Sequence, residues 1–113
     1  MMKYAVIGSR NFNHYDELER ELEKHDISEI VSGGAKGADQ FAERYAQEKS
    51  IPIEIIKPDW GKYGKAAGVI RNKEIINSYD AVIAFWDGKS QGTKSSIDFA
   101  EKSSKQVTII DIS

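Results

Sequence analysis

Five short apolar runs, separated by segments with helical spacing, constrain the fold of this chain more than any other feature. The runs are continuous rather than alternating, as expected of strands that are covered on both faces of a sheet. Strand alternating with helix predicts a parallel sheet with right-handed crossovers. We therefore predict an α/β fold, a Rossmann-like three-layer sandwich in which helices flank a mostly parallel sheet of about five strands. The predicted strands cover residues 4–7, 29–31, 53–56, 81–85 and 107–110.

Four segments between these runs have the spacing of amphipathic helices. They cover residues 16–24, 38–46, 66–77 and 93–105. No internal repeat, low-complexity tract or linker interrupts the pattern. Since 113 residues suit one compact core, residues 1–113 are predicted to form a single domain in which binding and any chemistry share that core.

The composition argues against several classes of function. Without cysteine the chain has neither disulfides nor thiolate metal ligands, and His14 and His25 lack matching ligands, so no metal site is predicted. The net charge of -2 argues against a broad basic surface, and nucleic acid is therefore not expected as a partner. No apolar run approaches the roughly 18 residues of a membrane span or the core of a signal peptide, which predicts a cytoplasmic protein with no membrane partner.

Ligands of open α/β sheets lie outside the carboxyl ends of the strands, so the loops that follow the strands are the candidates for binding. The loop after the second run reads SGGAKGAD. Its glycines allow a tight turn and close approach to a ligand, and the helix that follows offers free amides to an anion. The alternative is a plain turn in which the aspartate offsets the helix dipole. Predicted phosphate ligands here are Ser32, Gly33, Gly34, Lys36, Gly37 and Asp39.

Three further loops carry polar groups to the same edge. The first run ends in Gly8-Ser9-Arg10, whose guanidinium suits a phosphate, although a solvated loop is equally compatible. The loop after the fourth run is rich in glycine, lysine and hydroxyls, and binds a phosphate or ribose or else is a capped surface loop. Trp60 would stack on a base or cover the core, and Arg71 would pair with a phosphate or lie on an exposed helix face. Predicted binding residues in these loops are Gly8, Ser9, Arg10, Trp60, Arg71, Asn72, Gly88, Lys89, Ser90, Gly92 and Thr93.

Taken together, these motifs strongly resemble the YspA-like (YpsA-related) branch of the SLOG superfamily, named from the SMF/DprA and LOG proteins. The resemblance rests on residues 8–10, 32–39, 59–60, 64–68, 71–72 and 88–93 and covers nearly the whole chain. It implies a Rossmann-like SLOG fold that binds nucleotides or nucleotide-derived molecules such as NAD and ADP-ribose derivatives, with no cofactor required. It also implies a small stand-alone member in a bacterium or a phage-infected host, and a homo-oligomer, a dimer or larger, because relatives often form oligomers.

The resemblance favours a binding protein over an enzyme. The LOG enzymes of this superfamily resemble N-glycosidases, and they use an arginine on one helix and a glutamate after a glycine-rich loop. Arg71 falls at the arginine position, but Ser96 occupies the glutamate position, and Asp98 follows two residues later. We therefore expect a sensor or sequestering protein for an NAD-like, ADP-ribose-like or cyclic nucleotide ligand. The alternatives are a LOG-like phosphoribohydrolase using Arg71 with Asp98, Asp87 or Asp39, and single-stranded DNA binding of the DprA type.

Overall fold

The computed structural model describes residues 2–112 and contains five strands and five α-helices within that range. All strand pairs are parallel, and the strand order is β3-β2-β1-β4-β5. The predicted Rossmann-like α/β fold is confirmed. The elements are β1 (Met2–Gly8), α1 (Tyr15–Leu22), β2 (Ile27–Ser32), α2 (Ala38–Lys49), β3 (Ile53–Ile55), α3 (Trp60–Tyr63), a 3₁₀ turn (Gly64–Ala66), α4 (Ala67–Ser78), β4 (Ala81–Trp86), α5 (Gln91–Lys102) and β5 (Gln106–Asp111).

The sheet has a hydrophobic core on each face, which explains the continuous apolar runs. On one face Val6 of β1 belongs to a buried cluster with Leu18 of α1 and Ala42 of α2. On the other face Ala5 belongs to a second cluster with Ile76 of α4 and Ile97 of α5. Because successive strand residues point to opposite faces, a central strand covered by helices on both sides must be apolar at every position.

The ends of several elements differ from the sequence prediction. The last helix ends at Lys102 rather than continuing to residue 105, because Ser104 has a positive φ of 60° and the Lys105 amide turns back to the Ala100 carbonyl. The segment before α4 contains α3 and the 3₁₀ turn, which the apolar spacing does not predict. Neither difference changes which loops reach the carboxyl edge of the sheet.

The strand order creates a crevice at that edge. From β1 the chain moves outward to β2 and β3 on one side, and it then crosses to β4 and β5 on the other side. The loops that leave β1 and β4 therefore diverge, which is the usual position of a ligand site in an open parallel sheet. Across residues 2–112, no helix has the length and apolar character that crossing a membrane requires.

Candidate functional site

A cavity of about 500 Å³ occupies this crevice between β1 and β4. Its walls come from the loop after β1, the loop after β2, α4, the loop after β4 and the first turns of α5. Nine of the predicted binding residues line it: Gly8, Ser9, Arg10, Asp39, Arg71, Asn72, Ser90, Gly92 and Thr93. The switch point of the sheet therefore brings together side chains from both halves of the sequence.

The remaining predicted residues lie outside the lining. Lys65, Asp87 and Ser96 line the cavity although they were not selected as ligands. The sequence could have indicated Lys65 and Asp87 as candidate ligands, since each belongs to a glycine-rich loop at the carboxyl edge of the sheet. The predicted residues that do not line the cavity are Ser32, Gly33, Gly34, Lys36, Gly37, Trp60, Gly88, Lys89 and Asp98.

The glycine loop after β2 packs against other loops of the protein. Gly37 has a φ of 77°, and a Cβ placed on it would lie 2.6 Å from the carbonyl oxygen of Arg10. The adjacent Ala38 amide donates to the Ser9 carbonyl at 3.4 Å, so the first amide of α2 already has a partner. A Cβ on Gly33 would lie 2.5 Å from Nη1 of Arg71. These glycines therefore allow the loop after β2 to pack closely against the loop that carries Arg10 and against Arg71 of α4.

Arg71 is the half-buried cation of the cavity. Its Nη1 donates to the Gly33 carbonyl at 2.9 Å, and its Nε donates to Oδ1 of Asn72 at 2.8 Å. An arginine has five N–H donors, so three remain available. Burial lowers the pKa of Arg71, the neighbouring charge of Arg10 lowers it further, and Asp39 opposes both effects. Among the described residues neither guanidinium has a carboxylate within 4.0 Å.

Asp39 is the buried carboxyl of the cavity, with 7% of its surface exposed. Burial raises its pKa, while the Ala35 amide, which donates to Oδ2 at 3.2 Å, and the charge of Arg71 act in the opposite direction. The Ser32 hydroxyl is fully buried beside this carboxyl and forms no well-directed hydrogen bond. Asp39 and Arg71 therefore stabilise each other through space at the back of the cavity.

Asp87 organises the loop between β4 and α5. Its Oδ1 accepts hydrogen bonds from the Lys89 and Ser90 amides at 2.9 and 2.8 Å. Its Oδ2 accepts from the Ser90 hydroxyl at 3.1 Å. These donors lower the pKa of Asp87 to about 2, so it is ionised at neutral pH. Two of the amides that the sequence offered for phosphate are therefore already bound to Asp87.

An exposed aromatic and cationic rim adjoins the cavity. Trp60 is 58% exposed, so it does not cover the core, and its ring lies 3.7 Å from the point that a Cβ on Gly68 would occupy. Gly68 and the half-exposed Val69 line the cavity. Residues 57–73 contain five basic residues and one acidic residue.

The residues carried over from the glycosidase resemblance are separated. Arg71 and Ser96 line the cavity, and the Ser96 hydroxyl donates to the Gly92 carbonyl at 3.2 Å. Asp98 is half-exposed and pairs with Lys94 at 2.9 Å, outside the cavity lining. The fold therefore does not bring Asp98 to Arg71. Nor does any group of three or more potential metal-ligating side chains occur among residues 2–112.

The fold and the cavity define a Rossmann-like α/β domain with a ligand-sized cavity at its topological switch point. The chain belongs to the YspA, cpYpsA-related SLOG family, whose model matches residues 2–63. It is 35% identical over 113 residues to the Gene 61 protein of Mycobacterium phage D29, with 90% of each chain covered. The resemblance read from the motifs is therefore confirmed.

Solved structures of DNA processing protein A, DprA, have the same fold. The Streptococcus pneumoniae protein gives a TM-score of 0.81 at 21% identity, covering 98% of this chain and 50% of its own. The Helicobacter pylori protein, solved for its single-stranded DNA binding mode, gives 0.72 at 28% identity, covering 96% of this chain and 64% of its own. The chain thus spans about half to just under two thirds of these proteins.

The expectation that nucleic acid is not a partner is wrong, because the Helicobacter pylori neighbour is a single-stranded DNA-binding protein. The error came from using the net charge of -2, which averages regions of opposite sign. Helix α1 holds four acidic residues and one basic residue, whereas residues 57–73 carry a clear basic excess beside the cavity. A local cationic surface is sufficient for a single strand.

Proposed function

We propose that the cavity binds a nucleotide-derived small molecule through its phosphate, and that the protein acts as a sensor or a sequestering protein for it. This proposal rests on Arg71, a half-buried guanidinium with three available N–H donors, next to Arg10. Two like charges in one cavity repel each other, and an anion between them removes that repulsion. Planar guanidinium groups bind phosphate oxygens in bidentate geometry.

The size and rim of the cavity support a nucleotide over a bare anion. A volume of about 500 Å³ lies within the range of small-molecule sites, and inorganic phosphate would fill little of it. The exposed indole of Trp60 offers a surface on which a base can stack. The phosphate would be held at the two arginines, and the base would extend toward the rim.

Single-stranded DNA is the second candidate ligand. It is favoured by the likeness to the Helicobacter pylori DprA and by the alternation of Trp60 and Tyr63 with Lys57, Lys62 and Lys65. Exposed aromatic rings between cations are the usual means of holding a single strand, since the bases stack while the cations follow the backbone. On this proposal one nucleotide of the strand enters the cavity.

The glycosidase alternative now needs a different acid. With Asp98 outside the cavity lining, the carboxyl groups available there are Asp39 and Asp87. Asp87 is held ionised by its amide donors, whereas burial raises the pKa of Asp39, which makes Asp39 the better proton donor. Glycosidases place two carboxylates around the scissile bond. Phosphate binding by Arg71 and Arg10 is better supported than this reaction.

Calorimetry with the intact chain tests the proposal. The titrants are AMP, NAD, ADP-ribose, inorganic phosphate and an oligo-dT strand, each measured against wild type and Arg71→Met. Loss of a charge-assisted hydrogen bond is worth about 1.5 to 3 kcal/mol, so Arg71→Met should weaken nucleotide binding roughly 10- to 100-fold. The matched control is Arg20→Met, which changes an exposed side chain on α1, across the sheet from α4, and should bind as wild type.

The titrants also separate the two candidates. Binding of a free nucleotide that depends on Arg71 supports the small-molecule proposal. Binding of oligo-dT alone, weakening steeply as salt rises, supports the single-strand candidate. Absence of binding by all five titrants, or equal binding by wild type and Arg71→Met, refutes the phosphate site.

A further inference from the structure

On one wall of the cavity, Ser9, Ser90 and Asp87 form hydrogen bonds with one another that occupy the protons of both serine hydroxyls. The Oγ atoms of Ser9 and Ser90 lie 3.0 Å apart, and Oγ of Ser90 lies 3.1 Å from Oδ2 of Asp87. A carboxylate at neutral pH only accepts, and each serine has one proton to donate. The Ser90 proton is donated to Oγ of Ser9 or to Oδ2 of Asp87, and the Ser9 hydroxyl also hydrogen-bonds to Asp87, so neither serine keeps a proton for a ligand. We call Ser9, Asp87 and Ser90 the acceptor wall.

The backbone of the acceptor wall is equally short of free donors. The Asp87 amide donates to Oγ of Ser9 at 3.2 Å, and the Lys89 and Ser90 amides donate to Asp87. Ser9 is only 1% exposed, so what this wall presents to a ligand is the lone pairs of Ser90 and the negative charge of Asp87. A phosphate placed there would meet a carboxylate, so the phosphate must lie against Arg10 and Arg71 instead.

The two walls fix how a nucleotide lies in the cavity. We call Arg10 and Arg71 the cationic wall. Ser9 of the acceptor wall and Arg10 of the cationic wall are consecutive residues, and both line the cavity. The two walls therefore adjoin, and a ligand that contacts both walls must carry hydrogen-bond donors close to its phosphate. In a nucleotide the group next to the phosphate is the sugar, and its donors are its hydroxyls.

Resting on the proposed function, we propose that the ligand is a ribonucleotide whose sugar hydroxyls donate to the acceptor wall while its phosphate binds Arg10 and Arg71. The site then distinguishes ribose from deoxyribose. A 2′-deoxynucleotide lacks one of the two vicinal donors and leaves an acceptor of the wall unpaired. Hydrogen bonds to charged groups contribute about 1.5 to 3 kcal/mol, so the deoxy form should bind roughly tenfold more weakly, or worse.

Paired titrations test this inference. AMP, GMP and CMP and their 2′-deoxy counterparts are titrated into wild type, Asp87→Asn and Asp98→Asn. In Asp87→Asn the amide oxygen can still accept from the Lys89 and Ser90 amides, but an N–H₂ donor replaces the second acceptor. Wild type should prefer the ribose form, Asp87→Asn should lose most of that preference, and Asp98→Asn, outside the cavity lining, should keep it.

The ratio of the two affinities separates recognition from loop damage. A distorted loop weakens the ribose and deoxyribose forms alike, so the ratio would persist. If Asp87→Asn does not fold, Ser90→Ala, which also removes an acceptor, should reduce the ratio in the same way. Equal or tighter binding of the deoxy forms by wild type, with binding still dependent on Arg71, overturns the ribose inference and leaves the phosphate site intact. Absence of binding by all six nucleotides overturns both.

Discussion

Gly37 is the residue at which an added methyl group should be most damaging. It is the N-cap of α2, with φ of 77° and ψ of -125°, a conformation essentially confined to glycine, so an alanine there costs about 1 to 3 kcal/mol in backbone strain. The new Cβ would also lie 2.6 Å from the Arg10 carbonyl oxygen, and relieving such an overlap costs about 1 to 3 kcal/mol more. Gly37→Ala should therefore lose roughly 2 to 6 kcal/mol of unfolding free energy.

For a chain of this length that loss corresponds to a fall in Tm of about 8 to 24 °C, measured by circular dichroism. The matched control is Gly92→Ala in the first turn of α5, where a Cβ meets no atom within 4 Å. Alanine is the better helix former by about 0.5 to 1 kcal/mol, so this variant should be at least as stable as wild type. A Gly37→Ala protein that melts with wild type would refute the close packing of the two loops.

Three other variants test other parts of the structure. Asp39→Asn should raise Tm at neutral pH, since the raised pKa of Asp39 means that its ionisation destabilises the fold. The gain in Tm should vanish as the pH falls below 3.8, the ordinary pKa of an aspartate. A gain that grows on acidification would be incompatible with burial of this carboxyl. Leu18→Ala, at a fully buried site, should cost about 2 to 5 kcal/mol in urea unfolding. Trp60→Ala should leave stability unchanged and weaken nucleotide binding by about 1 to 3 kcal/mol in calorimetry, whereas a large fall in Tm would mean that the ring packs in the core.

The architecture could be read from the sequence because burial on both faces leaves a direct trace. Runs such as residues 4–7 and 81–85 are apolar at every position since α-helices cover both sides of the central strands. Their order along the chain then predicts a parallel sheet. Helix ends were less predictable, because the end of α5 depends on the backbone conformation of Ser104 rather than on apolar spacing.

The location of the candidate site was predictable, but the partners of its glycines were not. A glycine marks a position where something approaches the backbone closely, and the sequence does not say whether that is a ligand or another loop. At Gly37 it is the Arg10 carbonyl, and at Gly33 it is the guanidinium of Arg71. The Asp87 carboxylate likewise takes amides that a linear reading leaves free for a phosphate.

Charge was the property that sequence averages described least well. The net value of -2 gives no sign that acidic residues concentrate on α1 while cations concentrate at residues 57–73. The folded chain places the second group at and beside the cavity, so the local charge there is positive although the net charge is negative.

We propose above all that nucleotides bind at the switch point between β1 and β4. Amide chemical shifts of ¹⁵N-labelled protein, followed by NMR during titration with AMP, test it most directly. Shifts should be concentrated in residues 8–11, 68–72 and 90–96, the segments that contribute most of the cavity lining, and should disappear in Arg71→Met. Shifts concentrated on α1, or an unchanged spectrum at saturating AMP, would contradict it.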